Sequence, residues 1–248
     1  MKIGIIGSGY IGSTLTQKLS EAGHDVRIAD ARGKDHIPEN LRNVGATIVD
    51  AKEVFRDVDV AILSIPLTFL PTIKDIVATV PANATLIDTS NYYPARDQKI
   101  EKIEQGKVES VWVRDLFGRN VVKTWNAMGS DSLARFGKPS GTEGRLALPV
   151  AGDDADHKQV AIRLLDQIGF DAVDSGSLAD SWRHQPGAPA YCTDLTAGEL
   201  QEALNTAEKP RLPARRDLAV AAIMERVGDG TTNPDAAFLV RLNRALYT

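Results

Sequence analysis

Short apolar runs alternate with amphipathic stretches through the first two-thirds of this 248-residue chain. That alternation is the pattern of a parallel sheet covered by helices on both faces. Strands are predicted over residues 3–6, 25–29, 47–49, 60–64, 85–88 and 120–123, followed by two more at 146–151 and 172–174. Helices are predicted over 13–22 and 155–168, the second capped by Asp153 or Asp154. Two acids just before a helix serve as cap and dipole partner far more often than as an acid-base pair or metal site, so this pair is read as a cap. Beyond Ser175 the alternation stops. The segment Gln185-Pro186-Gly187-Ala188-Pro189 is a rigid loop, and short helices are predicted over 195–207, 216–226 and 234–246. The expected organisation is a dinucleotide-binding Rossmann-like domain over 1–175. A loop and helical extension over 176–248 has no sheet of its own and must pack on that domain or on a dimer partner.

The most informative segment is Gly7-Ser8-Gly9-Tyr10-Ile11-Gly12, directly behind the apolar run Ile3-Gly4-Ile5-Ile6 and ahead of a helix. Gly7 permits a sharp turn out of the strand, Gly9 lets backbone approach a pyrophosphate, and Gly12 lets helix and strand pack closely. Amide groups at the helix N-terminus then receive the phosphate charge. Such a turn alone is weak, but the next strand ends in Asp30, near the spacing expected of a ribose-binding carboxylate. Asp30 accepts hydrogen bonds from a ribose 2'-hydroxyl and repels a 2'-phosphate. Arg32, two residues on, pairs with that phosphate, stacks on adenine or is simply a solvated cation, and the Ser8 hydroxyl is a further candidate contact. NAD and NADP both remain open.

Composition narrows the partners. With 29 Lys+Arg against 33 Asp+Glu and a net charge of −4, neither nucleic acid nor an anionic membrane is expected as a partner. The single cysteine, Cys192, excludes an internal disulfide. No signal peptide or long apolar run is legible, which points to a cytoplasmic protein. No metal site is expected, because His24, His36, His157 and His184 are scattered and read as loop or surface residues.

In an open doubly wound sheet the ligand lies beyond the carboxyl ends of the strands. The loops there begin Ser64-Ile65-Pro66, Thr89-Ser90-Asn91-Tyr92-Tyr93-Pro94 and Trp125-Asn126. Ser64, Ile65 and Pro66 are expected beside the nicotinamide ribose, or form an ordinary strand-to-helix turn. Asn91 and Asn126 are candidates to orient a carboxamide or carbonyl, or else bond only their own turns. No Ser/His/Asp set and no Tyr-x-x-x-Lys pair is present, so the catalytic residues stay unassigned. Reduction of a ketone or imine needs a proton donor, for which Tyr92, Tyr93 and His184 are the candidates, although a tyrosine beside a proline turn usually packs and His184 beside Arg183 is usually exposed. Hydride transfer between two cofactors demands less of such a group.

The segments Ile87-Asp88-Thr89-Ser90-Asn91-Tyr92-Tyr93-Pro94, Val121-Val122-Lys123-Thr124-Trp125-Asn126 and Ala147-Leu148-Pro149-Val150-Ala151-Gly152-Asp153-Asp154 resemble the deazaflavin (coenzyme F420) dependent NADP oxidoreductases and their bacterial relatives. The resemblance continues from Ile168 through Trp182-Arg183 to Ala190-Tyr191-Cys192-Thr193-Asp194. It implies a Rossmann-like domain with a small C-terminal part, commonly a homodimer, in which NADP exchanges hydride with a flavin-like ring. It also implies Ser8 and Arg32 as 2'-phosphate contacts, with Ser64 to Leu67 along the nicotinamide. Asp30 and Ala31 depart from many relatives, which carry a small neutral residue and a serine there. The resulting expectation is an NAD(P)H-dependent oxidoreductase passing hydride to a deazaflavin, flavin or similar planar acceptor. Its rivals are a small imine or carbonyl reductase and an NAD(P)-binding redox sensor without turnover.

Overall fold

The computed structural model describes residues 1–228, 232 and 234–248. Eight strands form one sheet in the order β3-β2-β1-β4-β5-β6-β7-β8. They are β1 (Lys2–Ile6), β2 (Asp25–Ala29), β3 (Thr47–Ile48), β4 (Val60–Leu63), β5 (Thr85–Asp88), β6 (Val122–Lys123), β7 (Ala147–Ala151) and β8 (Asp171–Gly176). Neighbours from β3 to β6 run parallel, β7 lies antiparallel to β6, and β8 is parallel to β7. The helices are α1 (Tyr10–Glu21), α2 (Lys74–Val77), α3 (Pro94–Asp97), α4 (Glu101–Glu104), α5 (Glu109–Phe117), α6 (Ser130–Arg135), α7 (Ala155–Gln167), α8 (Ala197–Asn205), α9 (Leu212–Val227) and α10 (Ala236–Tyr247).

Strand alternation divides the core between the two faces of the sheet. Ile3 and Ile5 face Leu15 and Leu19 of α1 with Leu164 of α7, whereas Ile6 joins Phe55, Leu63 and Leu86 on the other side. Both faces are therefore dry, as a parallel sheet requires. The tail folds back onto the sheet: α8 packs on β7 and β8, while α9 and α10 pack on each other and α10 touches α6. No helix among the described residues is long and apolar enough to cross a membrane.

Several boundaries move for physical reasons. The predicted strand over 172–174 extends to Asp171–Gly176, because β8 pairs with the whole of β7 while polar Asp171, Asp174 and Ser175 mask its apolar signal. The strand over 120–123 shrinks to Val122–Lys123, the only two positions that pair with β5. The helix predicted from residue 216 begins at Leu212, with Pro213 in its first turn where a missing amide costs nothing. Asp154 is the cap of α7, accepting from the His157 amide at 3.0 Å, and Asp153 instead accepts from the Leu178 amide at 2.9 Å.

Lys123 and Asp88 end adjacent strands and are both fully buried, 2.7 Å apart. The Lys123 ammonium also donates to the Ser90 carbonyl, and Asp88 accepts from the Ser90 amide at 3.0 Å. Removing one charge leaves its partner desolvated and uncompensated, a loss of about 3–5 kcal/mol. Asp88→Ala should therefore lower stability by that amount in urea denaturation. The combined change Asp88→Leu with Lys123→Met should cost much less, and an equal cost would show that the charges themselves stabilise the fold.

Candidate active site

The strand order reverses between β1 and β4, the place where an open sheet leaves a crevice. Gly7 turns the chain there with a φ of 106°, and a β-carbon on it would lie 2.2 Å from the Ser64 carbonyl. One on Gly12 would lie 1.9 Å from the Gly7 carbonyl. Both positions therefore admit only glycine. Gly9 differs, since a β-carbon there would project into open space. The strand and helix thus do not need glycine at position 9, but a ligand approaching the first amides of α1, which have no intrahelical acceptor, would. The residues present fit a dinucleotide pyrophosphate at this point.

Ser8, Asp30 and Arg32 form one cluster at the end of β2. The Ser8 hydroxyl donates to Asp30 at 2.6 Å, and Arg32 donates its amide, Nε and Nη2 to the same carboxylate at 2.9–3.0 Å. Burial opposes ionisation of Asp30, yet the hydrogen bonds from Arg32 and Ser8 prevail and hold its carboxyl well below the usual range. Asp30 is 6% exposed whereas the Arg32 side chain is 66% exposed. Carboxylate and guanidinium are thus neighbours in one surface feature rather than rivals at separate places.

A cleft of about 440 Å³ begins at Gly9, Tyr10 and Ile11 and passes Ser64, Ile65 and Pro66. It then reaches Asn91 and Asn126, so all eight of these expected site residues share one cavity. The two asparagines are bonded to each other: Asn91 Nδ2 donates to the Asn126 carbonyl at 3.0 Å, and Asn126 Nδ2 donates to Asn91 Oδ1 at 3.1 Å. Asn126 Nδ2 also donates to the His184 carbonyl at 2.8 Å, and Asn126 Oδ1 lies 3.1 Å from His184 Nδ1. Because Asn126 has only its oxygen left to accept, Nδ1 must be the protonated ring nitrogen. Nε2 then accepts from Ser175 Oγ at 3.3 Å. The second Asn91 amide proton is left for a ligand.

His184 differs from its sequence reading, whereas Tyr92 packs as a tyrosine beside a proline turn usually does. His184 is fully buried and does not line the cleft, because the loop after β8 turns it inward under Asn126. It therefore supports the site instead of donating a proton in it. Tyr92 is buried on the far side of the loop, where its hydroxyl accepts from the Ile100 amide at 3.1 Å and its own amide donates to buried Glu109 at 3.0 Å. The tyrosine that reaches the cleft is Tyr93, whose hydroxyl meets that of Tyr191 at 2.6 Å.

The remaining walls come from Trp125, Met128, Tyr191 and Cys192, with Ile223 of α9 and Leu239 of α10. Sequence reasoning passed over these tail contributors, since nothing local marks them. Trp125 and Cys192 hold left-handed backbone with φ of 59° and 52°, a strained geometry for non-glycine residues that clusters at functional sites. Ser90 Oγ and Trp125 Nε1, both on cleft-lining residues, are buried without a hydrogen-bond partner among the described residues.

A family model described as NADP oxidoreductase, coenzyme F420-dependent, matches residues 2–92, which carry β1, the glycine turn, Asp30 and the Asn91 loop. The Escherichia coli K12 protein YjhV is 41% identical over 97 residues, spanning 39% of this chain and 70% of that protein. The chain belongs to the coenzyme F420-dependent NADP oxidoreductase family. It is an NAD(P)-dependent oxidoreductase. The structure of hypothetical protein SMa0349 from Sinorhizobium meliloti is 29% identical, with a TM-score of 0.64 over 79% of this chain and 95% of that one. A "putative f420 dependent nadp-reductase" from Arthrobacter sp. FB24 superposes with a TM-score of 0.60 over 95% and 98% of the two chains. At 17% identity that second likeness speaks for the fold alone.

Gly9→Val is expected to leave this oxidoreductase folded, because the added atoms enter empty space, while abolishing dinucleotide binding measured by calorimetry. Unchanged affinity would place the pyrophosphate elsewhere. Burial, with Lys123 nearby, pushes the His184 imidazole down to about 3 from its ordinary 6.5. The unfolded chain therefore binds the proton first, and the native contribution is lost as pH falls from 6.5 towards 3, by about 1.4 kcal/mol per pH unit. Burial pushes Glu109 up to about 7, although Lys123 and the Tyr92 amide oppose it. That group acts with the opposite sign and cancels between wild type and a variant that keeps it. The stability advantage of wild type over His184→Gln should shrink with that slope in urea titrations, and a pH-independent advantage would mean that His184 is not held neutral.

Proposed function

We propose that the protein binds NAD(P)H across the β1/β4 crevice and passes its hydride to a planar, flavin-like acceptor such as a deazaflavin or flavin in the adjoining cleft. The supporting observation is the continuity of one cavity from the Gly9 turn, past Ser64, Ile65 and Pro66, to a wall containing Trp125, Tyr93 and Met128. The nucleotide supplies hydride; the protein supplies position and solvent exclusion. In this reading the amides after Gly9 hold pyrophosphate, and Ser64 to Pro66 back the nicotinamide. Asn91, braced by Asn126, orients its carboxamide. A small imine or carbonyl compound is the second reading for the acceptor, and the paired Tyr93 and Tyr191 hydroxyls favour it because its strongly basic nascent anion has the greater need of a positioned proton donor. Anaerobic single-turnover oxidation of NADPH and NADH on mixing with a 5-deazaflavin, FMN or a cyclic imine tests the reaction. Absence of transfer to every acceptor, despite nucleotide binding, would favour a sensor.

The adenosine end yields a measurable preference. Asp30 near a 2'-phosphate imposes a like-charge penalty of about 1–4 kcal/mol at a few ångströms and effective dielectrics of 80 to 20. Arg32 already lies against Asp30 and offers a compensating attraction of similar size. Both nucleotides should therefore bind, NAD slightly more tightly, and Asp30→Asn should shift the ratio of dissociation constants towards NADP at fixed salt. A wild-type NADP preference above about a hundredfold, roughly 2.7 kcal/mol, would mean that Arg32 and Ser8 dominate.

A further inference from the structure

Two tyrosines that lie far apart in sequence meet in the cleft. Tyr93 follows β5, Tyr191 belongs to the tail, and their hydroxyl oxygens are 2.6 Å apart. The placement of Tyr191 is built rather than incidental: the next amide, of Cys192, donates to the Ala127 carbonyl at 2.8 Å, and Asn243 of α10 donates to the carbonyls of Tyr191 and Cys192. Tyr93 is held from the other side, its amide donating to Asp97 at 2.9 Å. Two phenols carry two protons, and one suffices for the bond between them. The other proton is not needed for that bond; it lies in the cavity that also holds the Gly9 and Ser64 turns, with the buried Cys192 thiol as its neighbour.

Resting on the hydride-transfer reading above, we infer that the Tyr93–Tyr191 pair delivers the proton that accompanies hydride transfer. The acceptor is accordingly an unsaturated carbon joined to a heteroatom, a C=N or C=O group or the conjugated ring of a deazaflavin. The acceptor carbon gains the hydride from the reduced nicotinamide while the π electron pair moves onto the heteroatom. The heteroatom then takes the proton as a tyrosine O–H bond breaks. The phenolate left behind keeps the hydrogen bond from its partner hydroxyl and is reprotonated from water. The Arg96 guanidinium lies 5.3 Å from the Tyr93 ring centroid and helps to compensate the transient charge. Burial pushes both phenols well above their ordinary range, so the pair stays loaded with its proton in the resting protein.

Tyr93→Phe and Tyr191→Phe test the assignment, each removing one hydroxyl and no ring. NADPH affinity is read from nicotinamide fluorescence, and single-turnover NADPH oxidation is followed in H₂O and D₂O with a cyclic imine and with a 5-deazaflavin as acceptor. The expected result is unchanged NADPH affinity in both variants, a loss of roughly a hundredfold or more in transfer rate with at least one acceptor, and disappearance of the solvent isotope effect that wild type shows. Transfer at the wild-type rate with the same isotope effect in both variants would overturn the pair as proton source, as would a wild type that binds NADPH and reduces neither acceptor. Failure of wild type to bind NADPH would instead sink the hydride-transfer reading on which the pair depends.

Discussion

Two of the loops that wall the cleft start from one buried ion pair. Lys123 and Asp88 close the carboxyl ends of adjacent strands without solvent, and together they bind both the amide and the carbonyl of Ser90. Ser90 fixed in this way sets the path of the next three residues. Asn91 faces the cleft, Tyr92 turns back into the core with its amide on Glu109, and Tyr93 faces the cleft again. A buried pair of this kind adds little net stability, since desolvation offsets much of the attraction. Its effect is geometric, because in this path the Ser90 amide and carbonyl find their partners in the two buried charges.

Around that fixed loop the cavity is closed from two directions. The glycine turn and the Ser64 segment approach each other so closely that Gly7 and Gly12 have no room for a side chain, which brings the turn against the end of β4. From the opposite side α10 reaches over the tail loop, where Asn243 and Arg244 donate to carbonyls from Tyr191 to Asp194. Those four carbonyls belong to irregular backbone and would otherwise need water. The last helix thus holds the second tyrosine in place and completes the wall.

Neutrality recurs beneath the cleft. His184 is denied its proton by burial, and in that form it donates one hydrogen bond to Asn126 and accepts one from Ser175. Asn126 in turn fixes Asn91, so the amide that faces the cleft is oriented by two further shells of hydrogen bonds. Neither phenol of the tyrosine pair ionises readily, for the same reason of burial. A cleft arranged in this way presents directed dipoles and neutral hydroxyls, and Arg96, paired with Asp97, is a charged group in its lining.

The local pattern by itself determined the sheet strands, the glycine turn and the acid at the end of β2, and narrowed the cap of α7 to Asp153 or Asp154. Each rests on spacing or on a steric demand confined to a few neighbouring residues. Gly7 and Asp30 are legible because turn and strand are local objects; so are the loops after β4, β5 and β6, since a strand's end fixes where its loop begins. What each loop residue does was decided only in three dimensions. Alternation from Asn91 to Tyr93 places Tyr93, not Tyr92, in the cleft, but the phase depends on Lys123 and Glu109, 30 and 16 residues beyond Tyr93. His184 reads as a surface residue beside Arg183 and becomes a buried support because Asn126 and Ser175 receive it. Tyr191 meets Tyr93 across 98 residues. Contacts of that separation leave no periodic trace in the chain, since they are set by how the tail helices pack against a sheet already formed.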